Sequence, residues 1–322
     1  MDEGGTIAAK EENVLIRAGD CTVTLLPEFG GKISSIRVKG HELLQKPLAP
    51  VAARTRTMSF DAGDASGWDE CLPSVGACSV ETADGTATIP DHGDLWRVKW
   101  TQRDSAGNSS VTLRGECFSL PLTLERSIEV ATTKQGWRLS LEYTLTNTGR
   151  SAMPWSWAAH SLFAVEPGDS LELPASIREL RVEGSGGQRL GKTGDRVAWP
   201  LSQGRGDLSK VLDRTSQVGD KLFAGPLSST ENWCVIHRPS AGIDIRMTFD
   251  STATPFLGVW LCYGGWPDRP GAKQMCVAPE PCTAPVDSLA QSGEWSRVLA
   301  PGESCSWPVL VDLEVKQGFQ HA

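Results

Sequence analysis

Trp137-Arg138-Leu139-Ser140-Leu141-Glu142-Tyr143-Thr144-Leu145-Thr146-Asn147 alternates apolar and polar side chains almost without a break. Side chains of an extended chain point to opposite faces in turn, so Trp137, Leu139, Leu141, Tyr143 and Leu145 share one face. Arg138, Ser140, Glu142, Thr144 and Thr146 share the other. This period of two predicts a strand with one face on a core. The same period recurs at 111–114, 122–125 and 243–249, and it closes the chain as Trp307, Val309, Val311, Leu313 and Val315. Turn-forming clusters separate these runs, among them Glu28-Phe29-Gly30-Gly31, Ser105-Ala106-Gly107-Asn108, Asn147-Thr148-Gly149 and Pro167-Gly168-Asp169. Helical spacing is confined to 286–299, where Gly293 weakens it. Many strands with few helices predict an all-β fold, a large antiparallel β-sandwich. No repeat of 20–50 residues is present, which argues against a propeller or a solenoid.

Of the 322 residues, 39% are hydrophobic and 22% charged, a balance that permits a sizeable core. A single domain over 13–317 is expected, preceded by a flexible segment 1–12 with little to bury. The Gly-, Ser- and charge-rich stretch 184–206 reads as a surface excursion. A net charge of −8 with no basic stripe disfavours nucleic acid or an anionic membrane as partner. No run reaches the roughly 20 apolar residues of a membrane span, and no secretory signal is visible at Met1-Asp2-Glu3. The nine cysteines form an odd set without C-x-x-C or zinc spacing, which fits reduced thiols in a cytoplasmic protein.

Three segments place ionisable groups in otherwise apolar or Gly/Pro-rich sequence. The first is Gly67-Trp68-Asp69-Glu70 followed by Pro90-Asp91-His92-Gly93-Asp94-Leu95-Trp96. The second runs from Met153 to His160 and Phe163, and the third is Tyr263-Gly264-Gly265-Trp266-Pro267-Asp268 followed by Pro279-Glu280-Pro281. Each candidate has a mundane reading: His92 as a turn residue, His160 as a satisfied core histidine, Glu280 as a rigid exposed turn. The other reading is a pocket in which desolvation perturbs these groups. Trp68, Trp96 and Trp266, beside Gly, Pro and charge, are candidate platforms for the apolar faces of a sugar, whereas Trp157 and Trp260 read as core.

Leu26-Pro27-Glu28-Phe29-Gly30-Gly31-Lys32-Ile33, Pro90-Asp91-His92-Gly93, the strand and turn leading to His160, and Pro279-Glu280-Pro281 together resemble the aldose 1-epimerase (galactose mutarotase) superfamily, as an outlying branch. The resemblance covers most of the chain. It implies the family's supersandwich fold and exchange of sugar anomers by general acid–base catalysis, with no metal or organic cofactor. By position, Glu280 would be the base and His160 the acid, with His92 orienting the substrate. The family's substrate-binding aspartate has no clear counterpart; Asp69 and Asp268 are neighbours of the expected site. Arg54, Arg56 and Arg97 either bind an anionic sugar or pair with the many carboxylates. Neutral, phosphorylated and acidic sugars all stay open. The same fold also serves in non-catalytic carbohydrate binding, the alternative function.

Overall fold

The computed structural model describes residues 13–105 and 107–316. The expected flexible segment 1–12 and the domain's last residue, 317, lie outside them, as do Ala106 of one expected turn and the terminal His321. The described chain is built from antiparallel strands, and its helical segments are 3-10 turns of three residues. Two large sheets dominate. One has eight strands in the order Ser170–Glu172, Trp233–Arg238, Ile243–Phe249, Ser304–Val315, Gly136–Asn147, Leu122–Thr132, Ser110–Glu116, Thr101–Asp104. The other has twelve, and its central run is Lys32–Val38, Trp68–Cys71, Ala158–Ser161, Met275–Cys282, Phe256–Tyr263, Val218–Ala224.

The opening alternation has the predicted consequence. Leu139, Leu141, Tyr143 and Leu145 are fully buried. Register places Leu139 opposite Val311, Leu141 opposite Val309 and Tyr143 opposite Trp307, so two amphipathic strands fuse their apolar faces. Tyr143 stacks on Trp307 with ring centres 5.6 Å apart, and Trp157 meets both. Charge crosses this core once, where Glu70 of one sheet takes Arg126 at 2.7 Å, Tyr143 Oη at 3.0 Å and Trp157 Nε1 at 3.0 Å. With both of its oxygens partnered, Glu70 ties the sheets together and neutralises the buried guanidinium.

Three expectations need correction. The helix foreseen over 286–299 is two 3-10 turns, Leu289–Gln291 and Gly293–Trp295, with Gly293 at a left-handed φ of 55°. The stretch 184–206 is more than an excursion: Glu179–Ser185 pairs with Arg196–Ala198, and Leu190, Val197 and Trp199 are buried beneath. Pro279-Glu280-Pro281 is no exposed turn, because it belongs to the wholly buried central strand Met275–Cys282. Proline has no N–H to give a neighbouring strand. Pairing with Ala158–Ser161 is accordingly reduced to Ala158 opposite Cys282, and the Ser161 hydroxyl bridges to the Pro279 carbonyl at 2.6 Å. All nine cysteines are free, six of them buried. No helix among the described residues is long and apolar enough to cross a membrane.

Candidate active site

A cavity of about 170 Å³ opens on the twelve-stranded sheet, lined on its walls by His92, His160, Lys221, Trp260, Glu280 and Asp287 and on its rim by Phe60 and Trp266. This volume lies below the ~300–1,000 Å³ of pockets for drug-sized ligands and suits one small ring. Its walls follow from strand order. His160 and Glu280 sit on adjacent strands, and Lys221 two strands beyond Glu280 on the far side of Phe256–Tyr263. Gly258 lies directly opposite Glu280, where a Cβ would stand 3.2 Å from the Glu280 Cβ. Its bare backbone leaves the glutamate room to reach Lys221.

His92 arrives on the loop 90–94. It adopts a left-handed φ of 59°, a region histidine tolerates better than most residues. Gly93 at φ 67° packs on the Leu72 backbone so tightly that any Cβ would collide with it. Asp94 clamps the loop from behind by accepting the Phe118 and Ser119 amides at 2.9 and 2.7 Å. The His92 Nδ1 donates to Asp91 at 2.8 Å, which leaves Nε2 to face a ligand. The imidazole stacks flat on Phe60 at 3.9 Å, and His160 meets both rings edge-on at 5.1 and 5.0 Å.

Burial sets the site's protonation. It drives His160 well below the ordinary histidine range, helped by the nearby charges of His92, Lys221 and Lys32. Burial also raises the Glu280 carboxyl above the carboxylate range, against the pull of Lys221, whose ammonium donates to Oε2. Both shifts favour the neutral forms, a protonated carboxyl and an uncharged imidazole, and Lys221 pulls Glu280 back toward its ionised form. Glu280 Oε1 and His160 Nδ1 are buried without a partner.

Other expected site residues are placed differently. Trp68 turns into the space between the sheets, fully buried against Phe163 at 6.3 Å, and is no platform. Trp96 is also buried, closed between the guanidinium groups of Arg54 at 5.0 Å and Arg97 at 4.2 Å. Asp69 faces the same side of the sheet as its register partner His160, but Lys32 at 2.6 Å and Arg54 at 3.5 Å cover it. Arg54 also binds Asp64 and the Trp96 carbonyl, while Arg97 is spent on the carbonyls of Met58, Asp91 and Gly93. Arg56 lies over the Phe118 ring. Asp268 is exposed beyond Trp266 and does not line the cavity. Of the expected residues, the cavity gathers His92, His160, Glu280 and Trp266.

It also gathers residues not foreseen. Trp260, read as core, lines the wall with its indole N–H on Gln274 Oε1 at 3.0 Å. Lys221 comes from a strand remote in sequence from Glu280, Asp287 from the loop that follows Glu280's own strand, and Phe60 from a long loop. The charged Lys221 immediately before Leu222-Phe223-Ala224 was the one available signal. Among the described residues, no group of three or more His, Cys, Asp or Glu is arranged to hold a metal ion.

A profile of the aldose 1-epimerase family matches residues 77–311. No curated protein matches the chain. Among solved structures, the Slr1438 protein of Synechocystis sp. PCC 6803 superposes with a TM-score of 0.71 at 18% identity, over 96% of this chain and 97% of that one. A galactose mutarotase related enzyme from Lactobacillus acidophilus gives 0.68 at 13% identity over 95% and 100%. A galactose mutarotase-like protein from Lactobacillus casei ATCC 334 gives 0.62 at 18% over 94% and 100%. The shared property at these identities is the mutarotase-like β-sandwich.

Proposed function

The chain belongs to the aldose 1-epimerase family, and from that membership we propose that it interconverts the anomers of an uncharged aldose by general acid–base catalysis. One observation carries this reading: a carboxylate and an imidazole from adjacent strands, Glu280 and His160, line one ring-sized cavity together with the imidazole of His92.

In the proposed reaction the Glu280 carboxylate takes the proton of the anomeric hydroxyl. The C1–ring oxygen bond breaks as the C1 carbonyl forms, and His160, from the protonated fraction that burial keeps small, delivers a proton to the departing ring oxygen. Rotation about C1–C2 followed by the reverse sequence closes the ring with the other configuration and restores both residues. His92, held through Nδ1, orients the sugar through Nε2. Trp260 and Trp266 pack against the ring's C–H faces.

Charge supports an uncharged substrate. The lining holds the carboxylates of Asp91, Glu280 and Asp287 against one ammonium, Lys221, and stays net negative even with His92 protonated. Arg54 and Arg97 are engaged elsewhere, so a phosphate or sulfonate would meet no free guanidinium there. The test is the rate of anomer exchange for freshly dissolved sugars, read by polarimetry or NMR, over neutral, phosphorylated and acidic aldoses. Acceleration confined to neutral sugars and abolished by His160→Asn and Glu280→Gln supports the reading. Binding without acceleration across the panel points instead to a carbohydrate-binding protein.

A further inference from the structure

Glu280 presents two unlike oxygens. Oε2 accepts from the Lys221 ammonium, and Oε1 has no partner. Lys221 stands opposite Trp260, which stands opposite Ala278, and Glu280 lies one pleat further along its strand. The ammonium thus reaches diagonally across the sheet over the gap left by Gly258. It is almost closed to solvent, with its side chain 11% exposed, and its second carboxylate, Asp287 Oδ1, is 3.8 Å away. The Asp287 backbone carbonyl accepts the amides of Val75 and Gly76 at 3.0 and 2.7 Å, which pins that second anchor to the cavity rim.

We propose that Lys221 is the positioning residue of the site: it grips Oε2, fixes the orientation of the carboxylate in the cavity wall and holds it in its ionised form. The proposal rests on the reading of Glu280 as the base. A carboxylate this deeply buried loses most of its hydration and, left alone, takes up a proton. The groups facing it do not replace the lysine. Asp287 repels the negative charge, His92 is a weaker attraction from across the cavity, and the thiols of Cys71, Cys276 and Cys282 are kept protonated by burial. A merely structural ion pair would fix the strands without governing when Glu280 ionises.

The experiment compares wild type with Lys221→Met, Lys221→Gln and Lys221→Arg through two readouts. One is the pH profile of kcat/KM for anomer exchange. The other is titration of the Glu280 carboxyl by carbon NMR in glutamate-labelled protein, with its resonance assigned by loss in Glu280→Gln. An opposite charge at this range is worth about one to three pH units. Lys221→Met and Lys221→Gln are expected to move both the acid limb and the carboxyl titration upward by that amount. Below the shifted limb kcat falls at least tenfold while KM stays near wild type, and Lys221→Arg restores the wild-type limb. Lys221→Gln carries the test if Lys221→Met does not fold. An acid limb and titration that stay in place in the neutral variants overturn the proposal. Should wild type accelerate no sugar, the proposed function fails, yet the carboxyl titration still decides whether Lys221 controls Glu280.

Discussion

Two clusters of buried charge lie side by side on the twelve-stranded sheet, meeting where Asp69 and His160 are register partners. In the first, Lys32 and Arg54 face Asp64 and Asp69. Lys32 reaches Asp69 at 2.6 Å and Asp64 at 3.2 Å, Arg54 reaches Asp64 at 2.6 Å, and the Ser66 hydroxyl donates to Asp64 at 2.5 Å. Two cations meet two carboxylates, and all four carboxylate oxygens are taken. In the second, Lys221 serves Glu280 and Asp287, Asp91 adds a further carboxylate, and Glu280 Oε1 and His160 Nδ1 stay bare. The first cluster is closed to solvent throughout, the second opens to it at Asp287 and Asp91, and only in the first is every carboxylate oxygen taken. A closed cluster makes a wall, here the one carrying the loop that brings Phe60 over the histidines. An open cluster keeps hydrogen-bonding capacity for something that arrives later.

If the first cluster is structural, breaking it must cost stability. Lys32→Met leaves two buried carboxylates to the single cation Arg54 and is expected to lower unfolding free energy by about 3–5 kcal/mol, read from urea denaturation. A loss comparable to that of a surface substitution would break the contrast. The next effect belongs to Asp64. Burial alone would raise its carboxyl, but Lys32 and Arg54 hold it at about 2. Its folded value is depressed, so its contribution is present above the unfolded value near 3.9 and is lost as pH falls from there through about 2. At 1.36 kcal/mol per unit this amounts to about 2–3 kcal/mol. Asp64→Asn should flatten the loss of stability in that window; an unchanged pH curve would contradict the pairing.

A smaller effect is expected at the rim. Trp266→Ala should weaken sugar binding about tenfold by removing an aromatic face, with stability little changed. Titration calorimetry checks this, and undiminished affinity would remove Trp266 from the site. His160 gives the mildest signal. Its folded value is depressed, so protonation opposes folding and stability declines as pH falls below its unfolded value near 6.5. His160→Asn should lessen that decline, measured by thermal unfolding at pH 7 and pH 5.

The two clusters also show what local sequence can reveal. Alternation at Trp137–Asn147 reports a strand because the information is contained within the strand itself. His92, His160 and Glu280 stood out because each interrupts a locally apolar or turn-forming context. Lys221 and Glu280, 59 positions apart, meet only because Val218–Ala224 and Met275–Cys282 flank the same strand, a pairing no local pattern encodes. Trp68 misled for a related reason. Its Gly and Asp neighbours suggested an open loop, yet the strand Trp68–Cys71 alternates, sending Trp68 and Glu70 between the sheets and Asp69 toward the cavity side. Arg54 and Arg97 could not be assigned from sequence, since their partners Asp64, Trp96, Met58 and Gly93 are set by how the loop folds back.

The most direct measurement is the anomer exchange rate of neutral aldoses by NMR for wild type, Glu280→Gln and Lys32→Met, each paired with its urea midpoint. Glu280→Gln is expected to lose about 10²–10⁴-fold of the acceleration, the usual worth of a general base. Its midpoint should fall less than that of Lys32→Met, because Lys221 keeps Asp287 and the amide oxygen can still accept its hydrogen bond. Lys32→Met should show the reverse at temperatures where it stays folded, with activity kept and stability lost. Full acceleration in Glu280→Gln, or none in wild type with any neutral aldose, would contradict the assignment of the open cluster as the catalytic one.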